Sequence, residues 1–503
     1  MNSAKSKPNI ILIMADQLRQ DFLGCYGASF ARTPNIDCLA SQGKLFERAV
    51  SPSPICIPAR ASLLTGHNAF STGVLTNNYW LRPDHDDCGM PTLASLLSGE
   101  GYHTEAIGKM HFIPWDRNEG FSHRSIAEDK RHIYIQDDYA EYLTEHGYRK
   151  YAGPEEPGYA TNLMASFSQI PLEHQVDVWI GNQAAKFLKD SSRDSPFFLF
   201  VGFAGPHDPY NPPQEVVNSM ENMDVPESIP ATAESEVFRP SFISSHKNGS
   251  AQADFTIFPE AAKAKIRRHY ISLIRIIDEQ VGKIQHVLSQ LNNSRETVIL
   301  FTSDHGDFLG DFDMVGKELF HEPSIRIPLI ASGASIECSR SKALVSLTDL
   351  FSTIMQIAGI KSVLQDSVPL PLTVDDVMTR TGILGATGSG IMWLTLRWKL
   401  AYYKNGSATL HDIMNDPQEQ HNRFSDPLCT EIRDELERQM MSKMLQSVTD
   451  GHLDKSYPYM TMSPEHPGHY PNWKRPYPTD RWSGRFGAAS MVGPSPEITS
   501  EPK

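Results

Sequence analysis

Four short runs, at 9–15, 197–203, 297–302 and 327–331, are apolar on both faces and rich in β-branched or aromatic residues. A strand covered on one side alternates polar with apolar positions, whereas a strand covered on both sides does not. The runs therefore predict strands inside a parallel sheet with helices on each face. Between them, segment 265–291 repeats Tyr270, Ile274, Ile277, Val281, Ile284, Leu288 and Leu291 at spacings of three and four, one apolar stripe on a helix. Strands interspersed with amphipathic helices give a doubly wound α/β fold.

At 503 residues the chain is long enough for a large catalytic domain and a smaller companion. The pattern predicts an α/β domain over 1–375. Segment 391–403 reads as strand and 426–444 as helix, which predicts a small α+β domain over 376–450, packed on the first. From 451 to 503 the chain turns rich in Pro, Tyr, Trp and His. This tail reads either as an irregular surface segment or as an ordered arm reaching a neighbouring subunit.

A formal net charge of -14 argues against a broad cationic face for nucleic acid, so any anion site must be local. Six cysteines, none in a CxxC spacing, fit neither a zinc cluster nor a disulfide framework, and point to a reducing cytosol. The apolar run at the N-terminus stops at Asp16 without a small-residue cleavage site and reads as a first strand rather than a signal peptide. No apolar stretch approaches the roughly 20 residues that span a bilayer, so no membrane partner is expected.

Polar residues cluster where the strands end. The first run stops at Asp16-Gln17, the second leads into Pro206-His207-Asp208-Pro209, and the third leads into Ser303-Asp304-His305-Gly306-Asp307. Ligands of open α/β sheets bind outside the carboxyl ends of the strands. Asp16, Gln17, Asp304 and His305 offer mainly oxygen ligands, which suit a hard divalent cation; calcium is the first choice, with magnesium or manganese as alternatives. Taken singly, Asp16 reads equally well as a helix N-cap. Segment 56–66 follows a proline-rich loop and starts a helix with Pro58 near its first turn, and such an N-terminus attracts anions. An isolated cysteine such as Cys56 is ordinarily a small buried hydrophobe.

The surroundings of Cys56 overturn that reading. Cys56-Ile57-Pro58-Ala59-Arg60 followed by Ser62-Leu63-Leu64-Thr65-Gly66 resembles the maturation motif of the type I sulfatase family, in which the cysteine becomes formylglycine. Further family-like motifs follow in order: Gly101-Tyr102, Ile107-Gly108-Lys109-Met110-His111, Pro206-His207, Asp304-His305-Gly306 and Gly316-Lys317. Leu410-His411-Asp412, Asn415-Asp416-Pro417 and Asn422 resemble the family's small C-terminal segment. The resemblance covers most of the chain. It implies an alkaline-phosphatase-like fold, a large mixed sheet sandwiched by helices with a smaller C-terminal α+β domain.

The resemblance also implies roles. Residue 56, as a formylglycine hydrate bound to one divalent metal with Asp16, Gln17, Asp304 and His305, would attack sulfur. Arg60 would hold residue 56, and Lys109 and Lys317 would grip sulfate oxygens. His111 would be the base that restores the aldehyde, and His207, with Lys317, would protonate the leaving oxygen. Outside this set, Lys109, Lys317 and His207 would read as a solvated charge or a turn residue, while His174, His269, His321, His452, His466 and His469 match no motif and receive no role. Gln17 stands where many members carry aspartate, and His305 where asparagine is common, a pairing that looks like the choline sulfatase and phosphonate monoester hydrolase branch.

The expected function is hydrolysis of a sulfate monoester of a sugar, aryl or small alkyl alcohol. Phosphonate or phosphate ester hydrolysis at the same site is the alternative, and an inactive binder of sulfated ligands is a third reading. The expected partners are a small sulfated substrate, a formylglycine-generating maturation enzyme, and a second copy of the chain joined through the tail. Segments 122–170 and 220–258 carry no motif and are expected to form the loops that set substrate choice.

Overall fold

The computed structural model describes residues 7–455 except 87–88, 191–194, 221–222, 250, 292–294, 363, 375, 377 and 379. From residue 456 the tail lies outside the described residues. So does the 375/376 boundary, at least in part.

Twelve strands matter below: β1 (Asn9–Asp16), β2 (Gly43–Val50), β3 (His103–Gly108), β4 (His123–Ile126), β5 (Phe197–Pro206), β6 (Thr297–Ser303), β7 (Leu329–Ser332), β8 (Ser339–Ser346), β9 (Ile383–Thr387), β10 (Gly390–Leu394), β11 (Trp398–Tyr403) and β12 (Ala408–Asp412). The first eight form one sheet in the order β4-β3-β5-β1-β6-β7-β2-β8. Six helices are also needed: α1 (Cys56–Thr65), α2 (Val176–Asp190), α3 (Arg239–Asn248), α4 (Glu260–Gln290), α5 (Asp349–Ala358) and α6 (Thr430–Lys455).

β1 runs parallel to both of its neighbours, β5 and β6, at the centre of the sheet. Its side chains alternate between two cores. Ile11, Ile13 and Ala15 pack with Ile180 and Ala184 of α2 and with Tyr270, Ile274 and Ile277 of α4. Ile10, Leu12 and Met14 face Ala59 and Leu63 of α1 and Leu350 and Ile354 of α5. Burying each of these larger β1 side chains contributes about 1.5–3 kcal/mol. This two-sided demand is why the run shows no polar alternation. The stripe read in segment 265–291 is the face α4 turns to the core, with Leu288 and Leu291 only partly buried at its end.

Two local readings need correction. The run at 327–331 contributes β7, which is antiparallel to both β6 and β2. After β6 the chain makes a long loop at the same rim and returns directly, without the crossover that a parallel neighbour requires. Burial on both faces carries no information about strand direction, so the run alone could not reveal this. Segment 391–403 is two strands, β10 and β11, paired antiparallel around an exposed turn at 395–397. That turn is Thr-Leu-Arg, with none of the Gly, Pro, Asn or Asp residues that mark turns.

β9 to β12 form a second, antiparallel sheet in the order β12-β11-β10-β9. One face, with Met392, Leu394, Ala401 and Tyr403, packs on Phe308, Phe312 and Phe320 of the loop between β6 and β7. The other, with Trp393, Leu400 and Leu410, packs on Leu436 and Met440 of α6. The small sheet thus backs a loop of the large one. Among the described residues no helix is long and apolar enough to cross a membrane.

α1 is buried along its whole length and ends at Gly66, whose φ of 73° lies in the left-handed region. A Cβ there would stand 2.4 Å from Leu364 Cδ1 and 2.7 Å from Phe351 Cδ1. Gly66→Ala is therefore expected to destabilise the protein by about 1–3 kcal/mol, from left-handed strain and overpacking together. Chemical denaturation would measure this, and an unchanged midpoint would contradict the fit described for α1.

Candidate active site

The carboxyl ends of β3, β5, β1 and β6, adjacent in the sheet, open onto one rim. β1 ends at Asp16, β6 leads into Asp304-His305, β5 into His207, and β3 into Lys109 and His111. α1 points its first residue, Cys56, at the same place, and its free N–H groups add positive potential there. The structure brings together every site residue predicted from the sequence.

Arg60 joins the rim. Its Nε donates to Asp304 Oδ2 at 3.0 Å, one terminal nitrogen to Asp16 Oδ2 at 2.9 Å, and the other to the Lys109 carbonyl at 2.7 Å. Lys109 Nζ lies 2.9 Å from Asp16 Oδ2 and 2.8 Å from Asp129 Oδ2. Arg60, Lys109, Asp16 and Asp304 are all essentially without solvent exposure. Charges so deeply buried persist only when paired.

Around Cys56 Sγ stand Lys317 Nζ at 2.9 Å, His305 Nε2 at 3.2 Å and Asp16 Oδ1 at 3.8 Å. Burial opposes ionisation of the thiol, but Lys317, Lys109 and His305 outweigh it and hold its pKa well below the ordinary cysteine value. Lys317 also donates to Gln17 Oε1 at 2.8 Å and lies 2.7 Å from His207 Nε2. The Nδ1 atoms of His207 and His305 each lie within 2.9 Å of a backbone carbonyl, that of Asp208 and Gly306 respectively. In the neutral form of either ring, an Nδ1 that donates to its carbonyl leaves Nε2 with the lone pair, turned towards the centre. His111 is neutral at pH 7: burial and Lys109 push its pKa down to about 4.

Asp16, Cys56, Asp304 and His305 present ligand atoms that all lie within 4.8 Å of one another, every one buried. Their electrostatics fit a cation. Burial and the charge of Asp16 push the Asp304 carboxyl above its ordinary value, with Arg60 and His305 too little to offset them. At Asp16, burial and Cys56 act in the same sense, but Lys109, His207 and Arg60 hold its pKa well below the usual range. Two acids that interfere in this way are what a divalent ion would relieve. Gln17, at a φ of 66°, keeps its amide oxygen towards Lys317 while its nitrogen donates to Asp307 Oδ2 at 2.5 Å.

Three supporting acids were missed as site residues. Asp129 holds Lys109 and also Arg131, whose guanidinium lies 2.9 Å from Asp129 Oδ2 and 3.3 Å from Asp208 Oδ2. Glu128 accepts from the His111 backbone N–H at 3.0 Å. Asp307 accepts from Gln17, Tyr210 and the backbone N–H groups of Leu309 and Gly316, which pins the loop that carries Lys317. Asp307 was visible at the strand end as part of a motif. Asp129 and Glu128 sit in the motif-free stretch 122–170, with only their charge as a signal.

Asp129 sits buried between two cations, so Asp129→Ala leaves Lys109 and Arg131 without their shared carboxylate. Breaking a buried pair from one side costs about 3–5 kcal/mol. The expected result is a large fall in thermal midpoint; a variant as stable as the parent would mean that the two cations find other partners.

The comparisons agree with this geometry. The Sulfatase family profile matches residues 8–360. An arylsulfatase of Clostridium perfringens is 30% identical, with 91% of this chain and 99% of that protein covered. A choline-sulfatase of Rhizobium meliloti is 29% identical over 84% of this chain and 83% of its own length. Among solved structures, a phosphonate monoester hydrolase of Agrobacterium radiobacter superposes with a TM-score of 0.74 at 21% identity, covering 88% of this chain and 96% of that one. That likeness establishes a shared alkaline-phosphatase-like architecture. With strand ends, buried ligand cluster and family profile all coinciding, the chain belongs to the sulfatase family and is a sulfuric ester hydrolase.

Proposed function

We propose that Cys56 is converted to formylglycine by a maturation enzyme, and that residue 56, Asp16, Gln17, Asp304 and His305 hold one divalent cation, calcium first and magnesium or manganese as alternatives. The enzyme then releases inorganic sulfate from a sugar, aryl or small alkyl sulfate. The observation that carries this reading is the seat of residue 56: the first residue of a buried helix, against Lys317 and His305, beside two buried carboxylates. The thiol sulfur marks where the oxygens of the matured residue would stand.

When present, the cation and the formylglycine hydrate supply Lewis acidity and an oxygen nucleophile. The remaining work falls to the chain. Lys317 and Lys109, with Arg60 behind them, offset the negative charge that spreads over the sulfate oxygens, in a buried site where such interactions are strong. His207 presents Nε2 to Lys317 at 2.7 Å, which forms a path for a proton to the departing alcohol oxygen. His111, neutral at pH 7, can accept the proton whose removal expels sulfate from residue 56. Its side chain reaches Cys56, as that role requires.

The phosphonate reading uses the same residues, so turnover decides. Matured protein is expected to hydrolyse 4-nitrophenyl sulfate faster than a phenyl phosphonate monoester, and Cys56→Ala to lose about 10³-fold or more in kcat, as expected when a covalent nucleophile is removed. A preference for the phosphonate would reverse the ranking. Full activity of Cys56→Ala would dispose of the mechanism, and absence of any turnover by the matured protein would favour the binder reading.

The reducing cytosol and the tail-mediated homo-oligomer belong to the same proposal. Among the described residues Cys25, Cys38, Cys56, Cys338 and Cys429 are free thiols, which supports a reducing setting. Removing the tail 451–503 is expected to lower the mass seen by light scattering; an unchanged mass would exclude the tail as the joint.

A further inference from the structure

A cavity of about 690 Å³ opens outward from the nucleophile. Its inner wall includes Lys317, whose Nζ is 2.9 Å from Cys56 Sγ. The outer wall comes from α3, through Ser241, Phe242, Ser245 and His246, and from the small sheet. In an antiparallel meander, alternate turns share one end, so the β9–β10 turn at Gly388–Ser389 and the β11–β12 turn at Lys404–Asn405 meet there, tied by Lys404 N donating to the Ser389 carbonyl at 2.8 Å. Here a leaving group would lie while sulfate faces Lys317.

Glu318, the next residue along, also lines this cavity. It is not a glycine, yet its φ is 88°, and its backbone N–H donates to Pro54, two residues before Cys56. A side chain held at a glycine-preferring conformation is strained, and such strain clusters at active sites and ligand clamps. The residue is exposed and lines the cavity, its carboxylate takes a side-chain hydrogen bond from Ser389, and among the described residues it has no ion-pair partner. Lys404, which lines the same cavity, is likewise exposed and without an ion pair among the described residues. Ser245 and Asn405 add hydroxyl and amide groups, and Phe242 and Tyr403 add aromatic faces.

We propose that the cavity receives a polyhydroxylated leaving group, a sugar, and that Glu318 is the specificity-determining acceptor for its hydroxyls. The proposal rests on the sulfate-ester reading above. A hydroxyl both donates and accepts, so it can satisfy Glu318 and Lys404 together, and aromatic faces suit the C–H surface of a sugar ring. A nitrophenyl group would take water from both charges without replacing its hydrogen bonds. A quaternary ammonium group would meet Lys317, Lys404 and Arg131 as well as Glu318 and Asp208, and would fill little of a cavity of this size.

Glucose 6-sulfate, 4-nitrophenyl sulfate and choline sulfate serve as probes for the matured enzyme and for Glu318→Gly, which removes the carboxylate while relieving the backbone. The parent is expected to prefer glucose 6-sulfate in kcat/KM. In Glu318→Gly that preference over nitrophenyl sulfate should fall about tenfold or more, mainly through KM, the size expected for one lost hydrogen bond to a charged group. The thermal midpoint should hold or rise, and Glu318→Gln should fall between the two. A parent that prefers choline sulfate or nitrophenyl sulfate, or a preference unchanged in Glu318→Gly, overturns the assignment. Should no sulfate ester be turned over, the reading of the reaction fails instead; calorimetric binding of glucose 6-sulfate to parent and Glu318→Gly then still tests the cavity, weaker binding to the variant supporting it and equal binding refuting it.

Discussion

The guanidinium of Arg60 is the joint on which the rim depends. It reaches from α1 to Asp16 at the end of β1, to Asp304 beyond β6, and to the Lys109 carbonyl beyond β3. A lysine would bring its donors to a single nitrogen, whereas the planar fork of Arg60 spreads them over three atoms and reaches three strand ends. These contacts lie where solvent is excluded, so losing one partner would strand a buried charge. The same guanidinium sits one helical turn from Cys56, so the register of α1 on the sheet also sets the position of the nucleophile. Fold and chemistry share one constraint here.

Around this joint, two layers of support differ in kind. The cations near Cys56 are held by acids: Lys109 by Asp129 from the segment after β4, and the Lys317 loop by Asp307 near its own start. The loop between β6 and β7 is held from behind by the small sheet, through Phe308, Phe312 and Phe320. The small sheet therefore both stiffens the catalytic loop and, together with α3, lines the cavity beside it. The reactive groups stand at the rim of the large sheet.

Much of the rim was legible in the sequence because it is built locally. Asp16, His207, Asp304 and His305 each follow an apolar run, and a run covered on both faces identifies a central strand together with its polar end. Cys56 and Arg60 were legible only through a motif, since nothing in the helix itself separates a nucleophile from a buried small residue. Asp129 was not legible, because Lys109, the cation that ties it to the rim, lies 20 residues away and meets it only in three dimensions, while its neighbour Arg131 marks no site. Strand direction at β7 was hidden for a related reason: two-sided burial looks alike whichever way the strand runs. The turn at 395–397 was hidden because neither Leu396 nor Arg397 signals a turn. Glu318 left no trace in the sequence either, for a positive φ at glutamate has no compositional mark.

The central claim is that the paired acids Asp16 and Asp304, bridged by Arg60, are arranged for a cation. Elemental analysis of purified protein tests it most directly. The account predicts about one divalent ion per chain, with calcium the first candidate, and its loss in Asp304→Asn along with turnover. A metal-free protein that hydrolyses sulfate esters at full rate in the presence of a strong chelator would contradict it.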